Sequence, residues 1–183
     1  MKTNLSGFNN DWYEPGSKSK RIFWYLINEL VIKNTLIPSS GLRKYLLRLF
    51  GAKIGNGVII KPGVNVKYPW KLTIGNHCWI GENVWIDNLD NVTIENNVCV
   101  SQGALLLCGN HNYKLPSFNL IVKPIILKEG CWVGAKSIVA PGVCVGAQAV
   151  LSLASVASDD LEPNFIYRGN PAKKIKVRYV STV

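Results

Sequence analysis

The chain has few histidines, on which many metal sites depend, and its odd number of cysteines does not fit a disulfide framework. It has 183 residues but only two histidines, His77 and His111, which lie 34 positions apart. A zinc site needs three or four clustered ligands, so we expect no metal. The cysteines number five, an odd count, in a chain without an export signal, which argues against a disulfide framework.

Long hydrophobic runs are also missing. The best candidate, residues 22–32, contains Asn28 and Glu29 and falls short of the roughly 18 apolar residues that a membrane-spanning helix needs. The N-terminal residues MKTNLSGFNN lack the apolar stretch of a secretory signal, so we expect a cytoplasmic protein. Only 17% of the residues are charged and 48% are apolar, which excludes a disordered chain and favours one folded domain.

The net charge of +10 lies at the two ends of the chain. Residues 1–50 and residues 165–183 each carry a net charge of +5, whereas residues 51–164 are neutral. The basic residues are not interleaved with a nucleic-acid-binding motif, so we expect no nucleic acid partner. A phosphate-bearing ligand or an anionic membrane fits this distribution better. A Walker sequence and a dinucleotide-binding glycine fingerprint are both absent.

The middle of the chain is a repeat of six residues. Units such as IGNHCW (74–79), IGENVW (80–85) and VGAKSI (133–138) begin with an aliphatic residue and carry a small or β-branched residue fifth. Gly, Asn, Asp or Pro fill positions between, where turns need residues that tolerate positive φ. One unit cannot bury its own apolar face, so the units must stack as coils of a solenoid.

The spacing of the first positions predicts three sides per coil. They fall at 54, 60 and 66, then at 74, 80 and 86, then at 94, 100 and 106, so coils start 20 residues apart. The next start, Leu127, comes 33 residues after position 94, which leaves 13 extra residues in a projecting loop at about 107–124. Such a loop on a regular scaffold is usually functional. The sequence therefore predicts an all-β solenoid over residues 51–164, a parallel β-helix with one projecting loop.

The two ends of the chain differ from the repeat. Apolar residues in 18–33 recur with helical periodicity, Pro38 stops this segment, and residues 41–51 predict a second short helix. We predict that the N-terminal helical segment, residues 1–50, caps the open end of the solenoid. The aromatic and basic residues within 12–33 could also hold the protein at the inner face of a membrane. Residues 165–183 are predicted to form a basic C-terminal tail.

Two side chains near the projecting loop carry candidate chemistry. His111 opens the loop outside the repeat register, and its imidazole suits a general base near neutral pH, although a solvated loop histidine is the alternative. Cys108 lies three residues earlier, so a Cys–His nucleophile pair is conceivable. His77 occupies a turn position and is expected to be an exposed bystander. Cys78 and Cys131 occupy inward fifth positions and are expected in the core.

Several blocks of the sequence resemble the colanic acid biosynthesis acetyltransferases, which are relatives of the galactoside and maltose O-acetyltransferases. The blocks are residues 67–118, LLRLFGAKIG (46–55), KPIILKEGCWVGAKSIVAPGVCVG (123–146) and YRGNPAKKIK (167–176). The resemblance spans about residues 12–178 and implies a left-handed parallel β-helix. It also implies a homotrimer with active sites between subunits, and transfer of an acetyl group from acetyl-CoA to a hydroxyl of a soluble or lipid-linked glycan in exopolysaccharide synthesis.

The resemblance also assigns roles to individual residues at matching positions. His111, in the sequence GNHNY, would be the general base of a direct transfer, and a backbone N–H would stabilise the oxyanion. The acceptor would contact Asp87, Asn88, Asn112 and Tyr113. The CoA moiety would contact Trp132, Gly134, Ala135, Ser152, Leu153, Pro171, Ala172, Lys173 and Lys174, with the two lysines at its phosphates.

The chain departs from the family pattern at two places. Asn112 stands where many relatives carry aspartate, so an adjacent acid that orients His111 is missing. Residues 152–154 replace a glycine-rich unit, which could narrow the channel for the pantetheine arm. An acetyltransferase for serine or an antibiotic, and a non-catalytic trimeric scaffold, are the alternative functions.

Large apolar residues at the sixth positions of the repeat support a homotrimer independently of the resemblance. Sixth positions point away from the solenoid core, and so many apolar groups are rarely left in water. These residues are Trp79, Trp85, Leu105, Trp132, Ile138 and Val150.

Overall fold

The computed structural model describes residues 2–179, so Met1 of the helical segment and residues 180–183 of the basic tail lie outside the described residues. The N-terminal arm, residues 2–17, contains a 3-10 turn, Leu5–Gly7, and precedes the first helix. Helix α1 spans Lys18–Ile27 and continues as a π-helical turn over Asn28–Ile32, and α2 spans Ser40–Leu49. Both helices lie where the periodicity predicts them.

Short strands separated by turns make up the rest of the chain. In chain order they are β1 Lys53–Ile54, β2 Ile59–Ile60, β3 Asn65–Val66, β4 Leu72–Ile74, β5 Trp79–Ile80, β6 Trp85–Asp87, β7 Val92–Ile94, β8 Cys99–Val100, β9 Leu105–Leu107, β10 Gly109–His111, β11 Leu120–Val122, β12 Ile125–Leu127, β13 Trp132–Val133, β14 Ile138–Val139, β15 Cys144–Val145, β16 Val150–Leu151, β17 Val156–Ala157, β18 Phe165–Gly169 and β19 Ala172–Val177. A further 3-10 turn covers Pro69–Lys71.

Parallel sheets form the three faces of the solenoid. The first face has the order β1-β4-β7-β12-β15, the second β2-β5-β8-β13-β16-β18, and the third β3-β6-β9-β14-β17. Residues one coil apart stand in register, as Ile54, Ile74 and Ile94 do on the first face. A parallel β-helix of hexapeptide repeats with a helical region and a projecting loop is thus confirmed. Its left-handed sense is the one that the family resemblance implies.

Two corners of the solenoid carry the candidate site residues. Edge 2–3 joins the second face to the third and contains the turns at 61–64, 81–84, 101–104, 134–137 and 152–155. Edge 3–1 joins the third face to the first and contains the turns at 67–71, 88–91, 108–124 and 140–143. The projecting loop therefore belongs to edge 3–1.

The first position of each unit points into the core, where Ile60, Ile80 and Val100 are at most 1% exposed. Cys78 and Cys131 are buried there as predicted. His77 is an exposed turn residue with a φ of 56°, a left-handed conformation that suits its fourth position in the unit. The structure therefore gives His77 the bystander position that the repeat predicts.

The N-terminal helices cover the first coil, and on each of its three faces one polar side chain from this segment hydrogen-bonds to the backbone. Arg48 donates to the carbonyl oxygen of Ile54 at 2.8 Å on the first face. Ser40 accepts from the N–H of Ile60 at 2.9 Å on the second, and Asn28 accepts from the N–H of Val66 at 3.3 Å on the third. The buried Trp24 adds a bond from its Nε1 to the Val66 carbonyl oxygen at 2.7 Å. These contacts make the helical segment a cap.

The outward sixth positions are only partly exposed. Trp79 is 60% exposed, and Trp85 and Trp132 are each 45% exposed. Val150 also stands in register with the outward Trp132, but it is only 8% exposed because it lies between Trp132 and Ile166 on the neighbouring strands. No helix within residues 2–179 has the length and apolar character to cross a membrane.

The basic C-terminal segment is a hairpin as far as the structure describes it. Strand β18 joins the second face in parallel with β16, and β19 folds back antiparallel on β18. The hairpin turns at Asn170 and Pro171, at the level of edge 2–3. Its cations are therefore held on strands.

Candidate active site

The projecting loop is built on a two-stranded hairpin. Strands β10 and β11 pair antiparallel, with His111 opposite Leu120. The base of the hairpin is fixed because the N–H of Cys108 donates to the carbonyl oxygen of Asp87 at 3.2 Å, and the N–H of Lys123 donates to the carbonyl oxygen of Cys108 at 3.0 Å. His111 thus sits at the end of a strand, where its backbone is held by a sheet.

The imidazole of His111 is held by one residue in two ways. Its ring stacks on the Phe118 ring at a centroid distance of 4.6 Å and an interplanar angle of 7°. Its Nδ1 lies 2.8 Å from the Phe118 carbonyl oxygen. A carbonyl oxygen can only accept, so Nδ1 carries a proton, and in the neutral imidazole Nε2 then keeps its lone pair. The arrangement leaves His111 able to accept a proton at Nε2.

The N-terminal arm lies against the same loop. The N–H of Asn4 donates to the Pro116 carbonyl oxygen at 2.8 Å, and the N–H of Asn9 donates to Asn119 Oδ1 at 3.1 Å. Phe8 places its ring 5.9 Å from the His111 ring. Nothing in the periodicity of the sequence indicates these contacts, since they join residues more than a hundred positions apart.

Of the predicted acceptor residues in the turn below the loop, only Asp87 lies where a ligand could reach it. Asp87 lines a pocket, is 7% exposed, and has its Oδ1 2.9 Å from Lys67 Nζ. Asn88 is fully buried, donates to the Tyr68 carbonyl oxygen at 2.6 Å and accepts from the Tyr68 N–H at 2.9 Å. Both groups of its amide therefore join adjacent coils, and the structure does not support Asn88 as an acceptor ligand.

The other two predicted acceptor residues lie in the loop itself. Asn112 accepts from the N–H of Lys114 at 3.2 Å, and its own N–H donates to the Asn119 carbonyl oxygen at 2.8 Å. Tyr113 is 75% exposed. Asn112 therefore shapes the loop, and Tyr113 has its side chain free to meet a ligand.

The Cys–His nucleophile pair is not supported. Cys108 is fully buried, and burial raises the pKa of its thiol to about 12. A nucleophilic cysteine needs a lowered pKa, because the thiolate is the reactive form. Cys108 is therefore a protonated core residue at neutral pH.

The predicted CoA residues gather along edge 2–3 and its C-terminal end. Trp132 donates from Nε1 to Ser101 Oγ at 2.8 Å, next to a groove of about 480 Å³ that Trp79 and Ser101 help to line. Ala135 and Ser152 are half-buried on this edge, and Leu153 is 73% exposed. The hairpin turn with Pro171 and Ala172 continues the same line.

Gly134 is the exception among the CoA candidates. Its N–H donates to the Leu151 carbonyl oxygen at 2.8 Å, and a β-carbon there would come within 2.6 Å of the Leu153 backbone nitrogen. The glycine is therefore required by the close approach of the next coil, and the structure does not present it to a cofactor.

The two predicted phosphate lysines are not equivalent. Lys174 Nζ lies 2.5 Å from Glu162 Oε1 and 4.1 Å from the centre of the Phe165 ring, so its charge is already engaged. Lys173 is exposed and pairs across the hairpin with Arg168, a residue that the sequence interpretation did not select. Near the hairpin turn, the cations without a carboxylate partner among the described residues are therefore Lys173 and Arg168, and Lys176 lies farther along β19.

The structure separates the two halves of the predicted site. His111, Asp87 and Tyr113 lie at edge 3–1, whereas the CoA candidates lie at edge 2–3 of the same chain. Among residues 2–179 no group of three or more His, Cys, Asp or Glu side chains could hold a metal ion. The arrangement offers an acid–base group on one edge and an elongated, cation-ended surface on another.

Known proteins are similar to this chain in sequence and in fold. The chain is 36% identical over 176 residues to WcaF of Escherichia coli (strain K12), assigned as a colanic acid biosynthesis acetyltransferase, covering 96% of this chain and 97% of WcaF. It is 26% identical over 142 residues to the galactoside O-acetyltransferase of that strain, covering 73% of this chain and 68% of the relative. The crystal structure of the hexapeptide-repeat acetyltransferase VCA0836 from Vibrio cholerae O1 biovar eltor, complexed with acetyl-CoA, matches with a TM-score of 0.82 at 22% identity over 96% of each chain. No protein-family model matches the chain.

Proposed function

Because the chain belongs to the colanic acid biosynthesis acetyltransferase family, we propose that it transfers the acetyl group of acetyl-CoA to a sugar hydroxyl of an exopolysaccharide precursor. Membership makes the chain an acyltransferase with acetyl-CoA as its donor. The sugar acceptor is supported by the galactoside O-acetyltransferase relative. The donor is further supported by VCA0836, which has the same fold and binds acetyl-CoA.

The observation that carries the proposal is the bond between His111 Nδ1 and the Phe118 carbonyl oxygen. With Nδ1 protonated, Nε2 takes the proton from the acceptor hydroxyl as that oxygen attacks the thioester carbonyl carbon. The tetrahedral intermediate then collapses, the carbon–sulfur bond breaks, and the imidazolium returns the proton to the leaving thiolate. The Phe118 carbonyl oxygen also stabilises the imidazolium. It thereby takes the role of the adjacent aspartate that many relatives carry.

Direct transfer is favoured over a covalent acyl-enzyme. The cysteine nearest to His111 in sequence is Cys108, which is buried and protonated. Acetylation of Cys108 would require the thiolate to form in the core, where burial opposes charge. The acceptor oxygen is therefore the nucleophile.

The separation of the two edges supports a homotrimer with active sites between subunits. A CoA molecule along edge 2–3 of one subunit would meet His111 on edge 3–1 of its neighbour. The exposed Trp79, Trp85 and Trp132 on the second and third faces supply the apolar surface that such an interface buries. Lys173 and Arg168 would then hold phosphates at the far end of edge 2–3.

Peripheral contact with a membrane through residues 12–33 stays a prediction. It is supported by Ile22, Phe23 and Leu26, which are 52%, 63% and 48% exposed on α1. A lipid-linked glycan would bring the enzyme to such a surface. Co-sedimentation with anionic vesicles tests it, and a variant that carries Phe23→Asp and Leu26→Asp should remain in the supernatant.

The proposed reaction is tested with purified protein, acetyl-CoA, and acceptors of three classes: sugars and oligosaccharides, serine, and chloramphenicol. Release of free CoA thiol reports turnover, and mass spectrometry identifies the acetylated product. We expect transfer to a sugar and none in the His111→Ala variant. Transfer to serine or chloramphenicol alone would replace this proposal with the corresponding alternative. A trimer that turns over no acceptor would favour the scaffold.

A further inference from the structure

A pocket of about 530 Å³ lies between α1 and the first two coils. Tyr25 from α1 and Tyr68 and Trp85 from the solenoid give it aromatic walls. Ligand pockets combine such walls with a few polar groups that fix orientation. The polar groups of this pocket come mainly from α1 and from edge 3–1.

The charged residues of the pocket do not cancel one another. Lys67 is paired with Asp87 at 2.9 Å, and Glu29 is paired with Lys33 at 2.7 Å. Lys18 and Arg21 also line the pocket, one turn apart on α1, and within residues 2–179 neither has a carboxylate within 4.0 Å. Because Lys33, which lies outside the lining, balances Glu29, Lys18 and Arg21 remain as the two lining cations without a carboxylate partner.

The guanidinium of Arg21 has a buried donor without a partner. Its Nε is inaccessible to solvent and makes no hydrogen bond to the described part of the chain. A ligand in the pocket cannot reach that nitrogen, but no carboxylate of the described residues neutralises the rest of the guanidinium. Guanidinium groups bind phosphate and carboxylate oxygens in pairs, with charge-assisted bonds.

The pocket and His111 share one corner of the solenoid. Asp87 lines the pocket, and its carbonyl oxygen accepts from the N–H of Cys108 at the base of the hairpin. His111 follows Cys108 by three residues of extended chain, which places the two backbones about 10 Å apart. A sugar that reaches His111 can therefore extend a neighbouring group into the pocket.

We propose that this pocket binds an anionic part of the acceptor, with its phosphate or carboxylate between Lys18 and Arg21. The inference rests on the proposed sugar acetylation and specifies its substrate as a negatively charged glycan or glycosyl phosphate. The aromatic walls contact the sugar, and the Arg21 guanidinium gains the anionic partner that no described carboxylate supplies. The paired Lys67 and Asp87 add polar groups to the lining of the pocket.

Acceptor kinetics test the proposal with three matched sugars: glucose, glucose 1-phosphate and glucuronic acid. We expect Arg21→Gln and Lys18→Gln to raise the KM for the preferred anionic sugar at least about tenfold. The KM for glucose and the KM for acetyl-CoA should stay within about twofold of wild type. The anionic sugar with the lower KM identifies phosphate or carboxylate as the group bound. Lys44→Gln, which removes a cation from α2 outside the pocket, is the control and should change none of these values.

Binding measured without turnover separates this inference from the proposed function. Calorimetry with glucose 1-phosphate and with glucuronic acid should show binding to the wild type that Arg21→Gln weakens at least about tenfold. Binding without acetylation of any sugar would leave the pocket in place and overturn the proposed reaction. Equal binding of the anions by the wild type and Arg21→Gln, or equal losses for glucose and the anionic sugars, would overturn the pocket assignment.

Discussion

Arg168 and Lys173 stand opposite each other across the β18–β19 hairpin, so their two cationic side chains share one face. Lys174 points its ammonium at Glu162 instead. The basic sequence RGNPAKK therefore does not present its cations equally. The pair formed by Arg168 and Lys173 is the unpaired charge that lies nearest the hairpin turn.

The first prediction concerns this pair. Arg168→Ala combined with Lys173→Ala should raise the KM for acetyl-CoA several-fold, because both proposed contacts to phosphate are lost. The effect should shrink at high ionic strength, where the wild type loses the same attraction. Lys174→Ala is the matched control and should leave this KM nearly unchanged. Calorimetry with CoA and dephospho-CoA checks the contact directly, and equal affinities in wild type and double variant would refute it.

Replacement of the proposed base gives the second prediction. His111→Ala should lower kcat at least about a hundredfold, the lower limit of typical general-base contributions, while CoA binding stays intact. His77→Ala removes the other histidine, an exposed turn residue, and should keep wild-type turnover. Equal losses in the two variants would show that His111 has no special role.

The N-terminal arm provides a third prediction, because Phe8 lies beside the ring that Phe118 stacks on. Phe8→Ala should lower kcat roughly tenfold through misplacement of the imidazole, with the KM for acetyl-CoA unchanged. Leu5→Ala, which alters a 63% exposed side chain of the same arm, is the control. If Leu5→Ala lowers kcat as much, Phe8 does not position His111.

The fourth prediction is a loss of stability in alkali. Burial raises the pKa of the Cys108 and Cys131 thiols to about 12, whereas an exposed thiol titrates near about 8.5. Above the lower value the unfolded chain releases protons that the folded chain keeps, so the free energy of unfolding falls by about 1.4 kcal/mol per pH unit for each thiol. Below the pKa of the exposed thiol, the stability that comes from the two buried, protonated thiols is fully present.

Urea denaturation between pH 7.5 and 10.5 measures that slope. A Cys108→Ala and Cys131→Ala double variant should start from a lower stability, since both side chains fill the core, but should lose less as the pH rises. Parallel pH profiles for the two proteins would contradict the assignment.

The fifth prediction is the homotrimer. Light scattering should give three times the chain mass of 20.3 kDa. Trp79→Glu together with Trp132→Glu should dissociate the assembly, because both indoles lie exposed on the second face. Trp12→Glu changes an exposed indole on the N-terminal arm and should leave the mass unchanged. A wild-type mass of one chain at micromolar concentration would exclude the trimer.

The strands and the projecting loop could be predicted from the sequence because the repeat is a local pattern. An aliphatic residue at the first position of a unit predicts that its side chain is buried. The extra residues before Leu127 predict the projecting loop. Asn88 misled the interpretation because a polar turn residue resembles a ligand in sequence. Its 20-residue separation from Tyr68, one coil, was the available signal that it joins neighbouring coils.

The group that orients His111 could not be predicted, since it is a backbone carbonyl and every residue has one. Its position depends on how residues 112–119 fold back on the hairpin. The contact of Phe8 with His111 depends in turn on where the arm lies, which no periodicity specifies. The pairing of Arg168 with Lys173 required the register of the hairpin.

Self-association depends on the three side chains that hydrogen-bond to the backbone of the first coil, Arg48, Ser40 and Asn28. The open end of a parallel solenoid presents unpaired N–H and C=O groups on every face, and such edges recruit further strands from other molecules. The helical segment occupies one such group on each face. A fragment that begins at residue 51 would keep the repeats but expose the unpaired N–H and C=O groups of the first coil. Such fragments would be prone to stack end to end into fibres.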